Sequence, residues 1–269
     1  MKHTKVSKNV MSVIIIAGCA VLIGAGTIVY KVNKAKQAEE AQKAWDALKP
    51  NDIIENMPDS MLSQKTMNMK FNYNGIPVSM DTTASYDSEN DATYDSGRYA
   101  VKSKGINNFI EQYTEQIENI TTIYTDDPLD SGTWIKECVT DAYEPMYNVP
   151  KMLDNAEIDK SDSTLSYYLL SGTITKDQFS KLFYNYFGEE STACTVEMAV
   201  DKSSGYITAI EFQSKDGESS PFDSFDCQIR YASSDDDDDD SGIDIKDSAR
   251  DGEAGNAALF SLIKSEFAK

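Results

Sequence analysis

The chain has 269 residues, with 45 acidic side chains against 25 basic ones, a single histidine and a formal charge of −20. That excess of negative charge repels phosphate backbones, so DNA or RNA binding is excluded. The one histidine, His3, sits at the extreme N-terminus. Beyond it the chain has no means for Ser-His-Asp or Cys-His catalysis, or for a histidine-ligated zinc or iron site.

Residues 10 to 30, VMSVIIIAGCAVLIGAGTIVY, carry no charge and are closed off by Lys8 and Lys31. At about 1.5 Å per residue a helix of this length spans roughly 30 Å, the hydrocarbon thickness of a bilayer. The pattern predicts an uncleaved transmembrane anchor at 10–30 behind a tail at 1–9. Ile16-Ala17-Gly18-Cys19 also fits a lipobox, so the alternative is cleavage and lipidation at Cys19. Against it, cleavage there would leave Ala20 to Tyr30 as an apolar segment too short to span. Lysines flank the run almost equally, so composition decides orientation. Six of the 25 basic residues and none of the 45 acids lie in residues 1–36, which leaves 19 against 45, a formal charge of −26, for the rest. An anionic leaflet repels such a domain, which predicts a cytoplasmic tail and an extracytoplasmic domain.

Residues 31–62 read as a helical stalk. KAKQAEEAQKAWDAL (34–48) is rich in good helix formers, Pro50 ends the helix, and a second short helix runs from Asp52 to Leu62. From Lys65 the apolar period falls to two. Met67, Met69, Phe71 and Tyr73 precede Asn74-Gly75, and Ile76, Val78 and Met80 follow it. Asn-Gly is the preferred type I′ turn, and a two-residue turn pairs Tyr73 with Ile76, Phe71 with Val78 and Met69 with Met80 on one sheet face. Residues 92–140 are dense in Thr, Ile and Tyr and read as strands, with TTIYTDDPLDSGTWIKECV (121–139) a strand pair joined by an Asp/Pro/Gly loop. Residues 142–160 read as loop with one helical turn. STLSYYLLSGTI (163–174) is a strand, and Thr175 with Gln178 forms a capping box before a helix that Gly188 stops. Three strands at 191–201, 206–214 and 222–233 form a meander.

Four of these segments, TMNMKFNYNGIPVSMDTTASYD, TTIYTDDPLDSGTWIK, YYLLSGTIT and TVEMAVDKSSGYITAIEFQ, resemble bacterial extracytoplasmic lipoproteins of the LolA/LppX-like superfamily over about residues 60–232. The resemblance implies an α+β fold in which a curved antiparallel sheet, a half-barrel, lies over a few helices in a domain at 63–233. It implies a cell-membrane protein of a Gram-positive bacterium. It also implies that the hollow takes a lipid or another apolar small molecule, with Met67, Met69, Phe71, Val78 and Met80 as the candidate lining. No residue carries over by motif, and cofactors and metals are expected to be absent. The alternative is a non-catalytic interaction or structural module whose apolar sheet face is an ordinary core.

After Ser233 come six aspartates, Asp235 to Asp240, in an acidic linker at 234–251, with a loose calcium site as the less favoured reading. Residues 252–269 read as an amphipathic helix with Leu259, Phe260, Ile263 and Phe267 as its apolar stripe. Cys194 and Cys227 fall on apolar faces of the outer strands of the meander, too far apart to bridge. Three reduced, buried thiols, with Cys138 the third, are therefore expected. No phosphate loop or dinucleotide fingerprint occurs and nothing selects a catalytic pair of acids, so the chain is expected not to be an enzyme.

Overall fold

The computed structural model describes residues 28–89, 92–103, 105–130, 132–141, 143–215, 220–233, 249–254 and 262–263. The chain divides into two units, Met1–Lys49 and Pro50–Lys269. In the first, α1 (Ile28–Ala47) takes only the last three residues of the apolar run and continues through KVNKAKQAEEAQKAWDA. Lys43 and Glu39, one turn apart on α1, pair at 2.8 Å, a contact that supports a solvated helix by a few tenths of a kcal/mol at most. No helix among the described residues is long and apolar enough to cross a membrane. The transmembrane helix expected at 10–30 is corrected as far as it is described: only Ile28–Tyr30 of the run falls in α1, which continues through Lys31, Lys34 and Lys36 and is too polar to cross a membrane. Residues 10–27, Cys19 among them, lie outside the described ones.

The second unit begins with α2 (Pro50–Ile54), where a proline occupies the first helical position that suits it. It is shorter than the expected 52–62 helix. Then come β1 (Gln64–Tyr73), β2 (Ile76–Glu89), β3 (Ala92–Ser103), β4 (Ile106–Ile117), β5 (Ile120–Asp126) and β6 (Trp134–Thr140). A 3₁₀ turn at Met146–Asn148 leads into α3 (Val149–Met152), β7 (Asp154–Ile158) and β8 (Tyr167–Ile174). The remainder is α4 (Lys176–Phe187), β9 (Cys194–Asp201), β10 (Ile207–Ser214), β11 (Phe222–Ala232) and β12 (Arg250–Asp251). Asn74 and Gly75 hold φ of 50° and 81°, so the type I′ turn fixes the register and Phe71 faces Val78 and Met69 faces Met80.

All twelve described strands form one sheet in the order β12-β6-β5-β4-β3-β2-β1-β11-β10-β9-β8-β7. Two meanders, β1 to β6 and β7 to β11, are joined at their middle by the antiparallel pairing of β1 with β11. The sheet is strongly curved, and two observations require it. Tyr184 of α4 reaches Glu137 on β6 at 2.7 Å, while Phe183 of the same helix meets Phe212 on β10 at 5.1 Å. Those strands are seven places apart, roughly 34 Å in a flat sheet, about three times a helix diameter. The connection from Thr140 to Asp154 gives the second argument. It contains two helical turns and cannot exceed roughly 36 Å, yet it joins strands ten places apart, about 48 Å if flat.

The expected α+β class is corrected to mostly β. A single described helix, α4, lies within the curve of the sheet, and α2 and α3 have five and four residues. Residues 106–120, expected as strand, form β4 and the start of β5, whereas Asp154–Ile158, read as loop, is an edge strand. The Asp235–Asp240 run lies outside the described residues. Of the predicted C-terminal stripe only Ile263 is described, and it is buried. Cys138 is exposed while Cys194 and Cys227 are buried, and all three are free. The expectation of three buried thiols is thus corrected at Cys138, which sits near the end of β6 and faces the Thr122 hydroxyl at 3.7 Å.

Candidate functional site

Two surfaces of the second unit could receive a ligand: the hollow enclosed by the sheet and its opposite, outer face. Met67, Met69, Phe71, Val78 and Met80 do share the inner face, with exposures of 2, 0, 3, 4 and 0 %. What they meet there is α4. Thr175 caps it through the Gln178 N–H, and the Gln178 side chain returns to the Thr175 N–H at 2.7 Å. That start sets the helix phase and turns Phe179, Phe183 and Phe187 toward the sheet, each fully buried.

These rings fill the hollow. Phe187 meets Phe71 edge-on at 5.4 Å, and Phe179 meets Phe225 at 4.9 Å. Phe183 sits 4.7 Å from Phe179. The helix bends at Phe183, whose φ and ψ of −115° and 16° depart from helical values. At the other end Gln112 donates to the Asn185 carbonyl at 2.5 Å and to Thr125 at 3.1 Å. Asn185 donates back to the Gln112 side chain at 3.2 Å. The open side is covered by the segment between β6 and β7. Its Glu144 N–H donates to the Lys181 carbonyl at 2.9 Å, and the Met152 carbonyl accepts from Gln178 at 2.8 Å. Met146 and Val149 of that segment are buried.

Two phenols at the rim are held in their neutral forms. Burial, then the hydrogen bond to Glu137, raises the Tyr184 phenol. Burial and the 3.0 Å bond to Glu190 push the Tyr73 phenol up to about 12. The buried thiols follow the same logic, with Cys194 pushed up to about 12 by burial and Cys227 raised by burial first. None is a nucleophile at neutral pH. Among the described residues no group of three or more His, Cys, Asp and Glu is placed to hold a metal ion.

The outer face carries a trough of about 550 Å³. Sheet register explains its shape. One row across the strands reads Arg230, Thr66, Thr83, Arg98, Glu111. The next reads Gln228, Asn68, Asp81, Ala100, Phe109. Short side chains on β1 and β2 make the floor, and long ones on β11, β3 and β4 make the walls. The Arg98 guanidinium lies 4.5 Å above the Phe109 ring and 3.8 Å from Glu111. Lys102 lies 3.4 Å from Asp81. Arg230 is exposed and has no ion pair among the described residues. Sequence reasoning passed over this surface because its cations sit on two strands far apart in sequence, Arg98 and Lys102 on β3 and Arg230 on β11. The alternation that marks their face was legible, but the β1–β11 pairing that brings Arg230 to the trough was not.

Comparison with protein-family models finds none that matches, and no curated protein matches the chain.

Proposed function

We propose that the chain is a non-catalytic binding module whose recognition surface is the outer face of its sheet, the space beneath the sheet being core. The observation that carries this reading is the enclosure of α4. Phe179, Phe183 and Phe187 occupy the hollow, and the connection between β6 and β7 closes over them. A phenylalanine buried in this way contributes about 1.5–3 kcal/mol by removal from water, so an acyl chain would have to displace three such side chains before gaining anything. The alternative role of lipid or apolar-ligand carrier would need α4 to leave.

The test is titration of the full chain with a fluorescent fatty acid. No saturable rise in emission is expected. Stoichiometric uptake with native circular dichroism retained would overturn the reading and restore Met67, Met69, Phe71, Val78 and Met80 as pocket residues.

A further inference from the structure

We propose that the trough on the outer face binds a compact hydroxylated bis-anion, a small polyol carrying two phosphate or carboxylate groups. The inference rests on the reading of the outer face as the recognition surface and names what it recognises. Local charge is the first argument. Arg98, Lys102 and Arg230 line the trough against two acids, Glu111 beside Arg98 and Asp81 beside Lys102, so cations exceed acids there by one in a region whose formal charge is −26 when 19 basic residues are set against 45 acids. Guanidinium groups match carboxylate and phosphate geometry bidentately, and two of them face each other across the floor. Arg98 and Arg230 both line the trough from strands three places apart, roughly 14 Å, on either side of the floor.

The floor sets the second requirement. Thr66, Thr83, Asn68 and Gln228 offer hydroxyls and amides, which suit a hydroxylated body and would leave an acyl chain facing unsatisfied polar groups. Size gives the third. A volume of about 550 Å³ lies within the usual range for a small-molecule site. A long polyanion would extend beyond the trough into the field of the surrounding acids, whereas a compact one stays within about one Debye length of the cations. Arg98 is pre-oriented by the Phe109 ring and Glu111, and Lys102 by Asp81, so less ordering is needed on binding.

The experiment is isothermal titration of the full chain with fructose 1,6-bisphosphate, citrate and uncharged fructose, at about 50 and 200 mM salt. Saturable binding of the bisphosphate or of citrate is expected, weaker at the higher salt, with fructose silent. Whichever anion binds more tightly identifies phosphate or carboxylate as the headgroup. R98Q and R230Q should each weaken binding about tenfold or more. Both side chains are exposed, and melting curves of the two variants should match the parent. Binding of neither anion, equal binding of fructose, or affinities unchanged in both variants would overturn the proposal. Fatty-acid uptake by the same preparation would instead sink the reading of the outer face on which it rests.

Discussion

Phe183→Ala is the sharpest perturbation of the fold. Phe183 is fully buried, with neighbouring rings at 4.7 Å (Phe179), 5.1 Å (Phe212) and 5.5 Å (Phe225). Removing the ring forfeits about 2 kcal/mol of transfer free energy. It also leaves a void that, at ~24 cal/mol per Å³ and up to roughly 100 Å³, costs about as much again. A loss of about 4 kcal/mol is expected, inside the range of about 3–5 kcal/mol seen for large aromatic truncations. For a protein of ordinary stability that is a large share of the total. It corresponds to a fall in Tm of about 8–16 °C. The assay is urea unfolding of parent and variant at pH 7, with Phe109→Ala as control, since Phe109 is 54 % exposed. The control should lose less than about 1 kcal/mol. A cavity of this kind, lined by aromatic rings and closed to water, should also admit benzene and recover part of the lost stability. If Phe183→Ala costs less than about 1 kcal/mol, the ring is not filling the hollow and the reasoning fails.

Thr175→Ala removes one half of the capping box on α4 and should cost about 1 kcal/mol in the same urea assay; no loss would mean the helix start is set by its contacts alone. Glu197 faces Glu211 across the β9–β10 pair, and burial first, then Glu211, Asp159 and Asp162, raises its carboxyl. A folded pKa above the unfolded one means that the stabilising neutral form is fully present below the ordinary carboxyl range and is lost as pH rises through the folded value. Glu197→Gln should therefore be more stable than the parent at pH 7 and equal to it near pH 4. Solvent screening holds the difference to roughly a few tenths of a kcal/mol, and the opposite order at pH 7 would refute the assignment. Mass-mapped alkylation of the native chain should label Cys138 and spare Cys194 and Cys227 until the protein is unfolded; early labelling of either buried thiol would show that the β9–β11 region opens.

How much of this was legible in the sequence depends on the range of the interaction that decides each element. The Asn74-Gly75 hairpin and its register were readable because a two-residue turn dictates pairing locally. Thr175, Gln178 and Gly188 bounded α4 for the same reason, since caps are contacts within one turn. The three-strand meander at 194–232 followed from its alternation and short turns. What was not legible is long-range. The β1–β11 pairing joins residues about 160 positions apart in sequence, such as Met69 and Cys227, and no local pattern specifies it. The same pairing decides the extent of the sheet, and hence that the fold is mostly β. The five apolar residues of the first hairpin were correctly placed on one buried face, but periodicity cannot say whether a ligand or a helix covers that face. The phenylalanines of α4 answer it, and their spacing of four was visible without its partner being so. Lys65 shares that face and is buried as well, a cation whose place in the core alternation alone would not suggest.

The claim that the hollow is filled by the protein itself is tested most directly by native mass spectrometry of the full chain purified without detergent. The predicted result is a single species at the mass of the polypeptide, with organic extraction releasing no acyl chain. A retained lipid of defined mass, lost only when the protein unfolds, would contradict it.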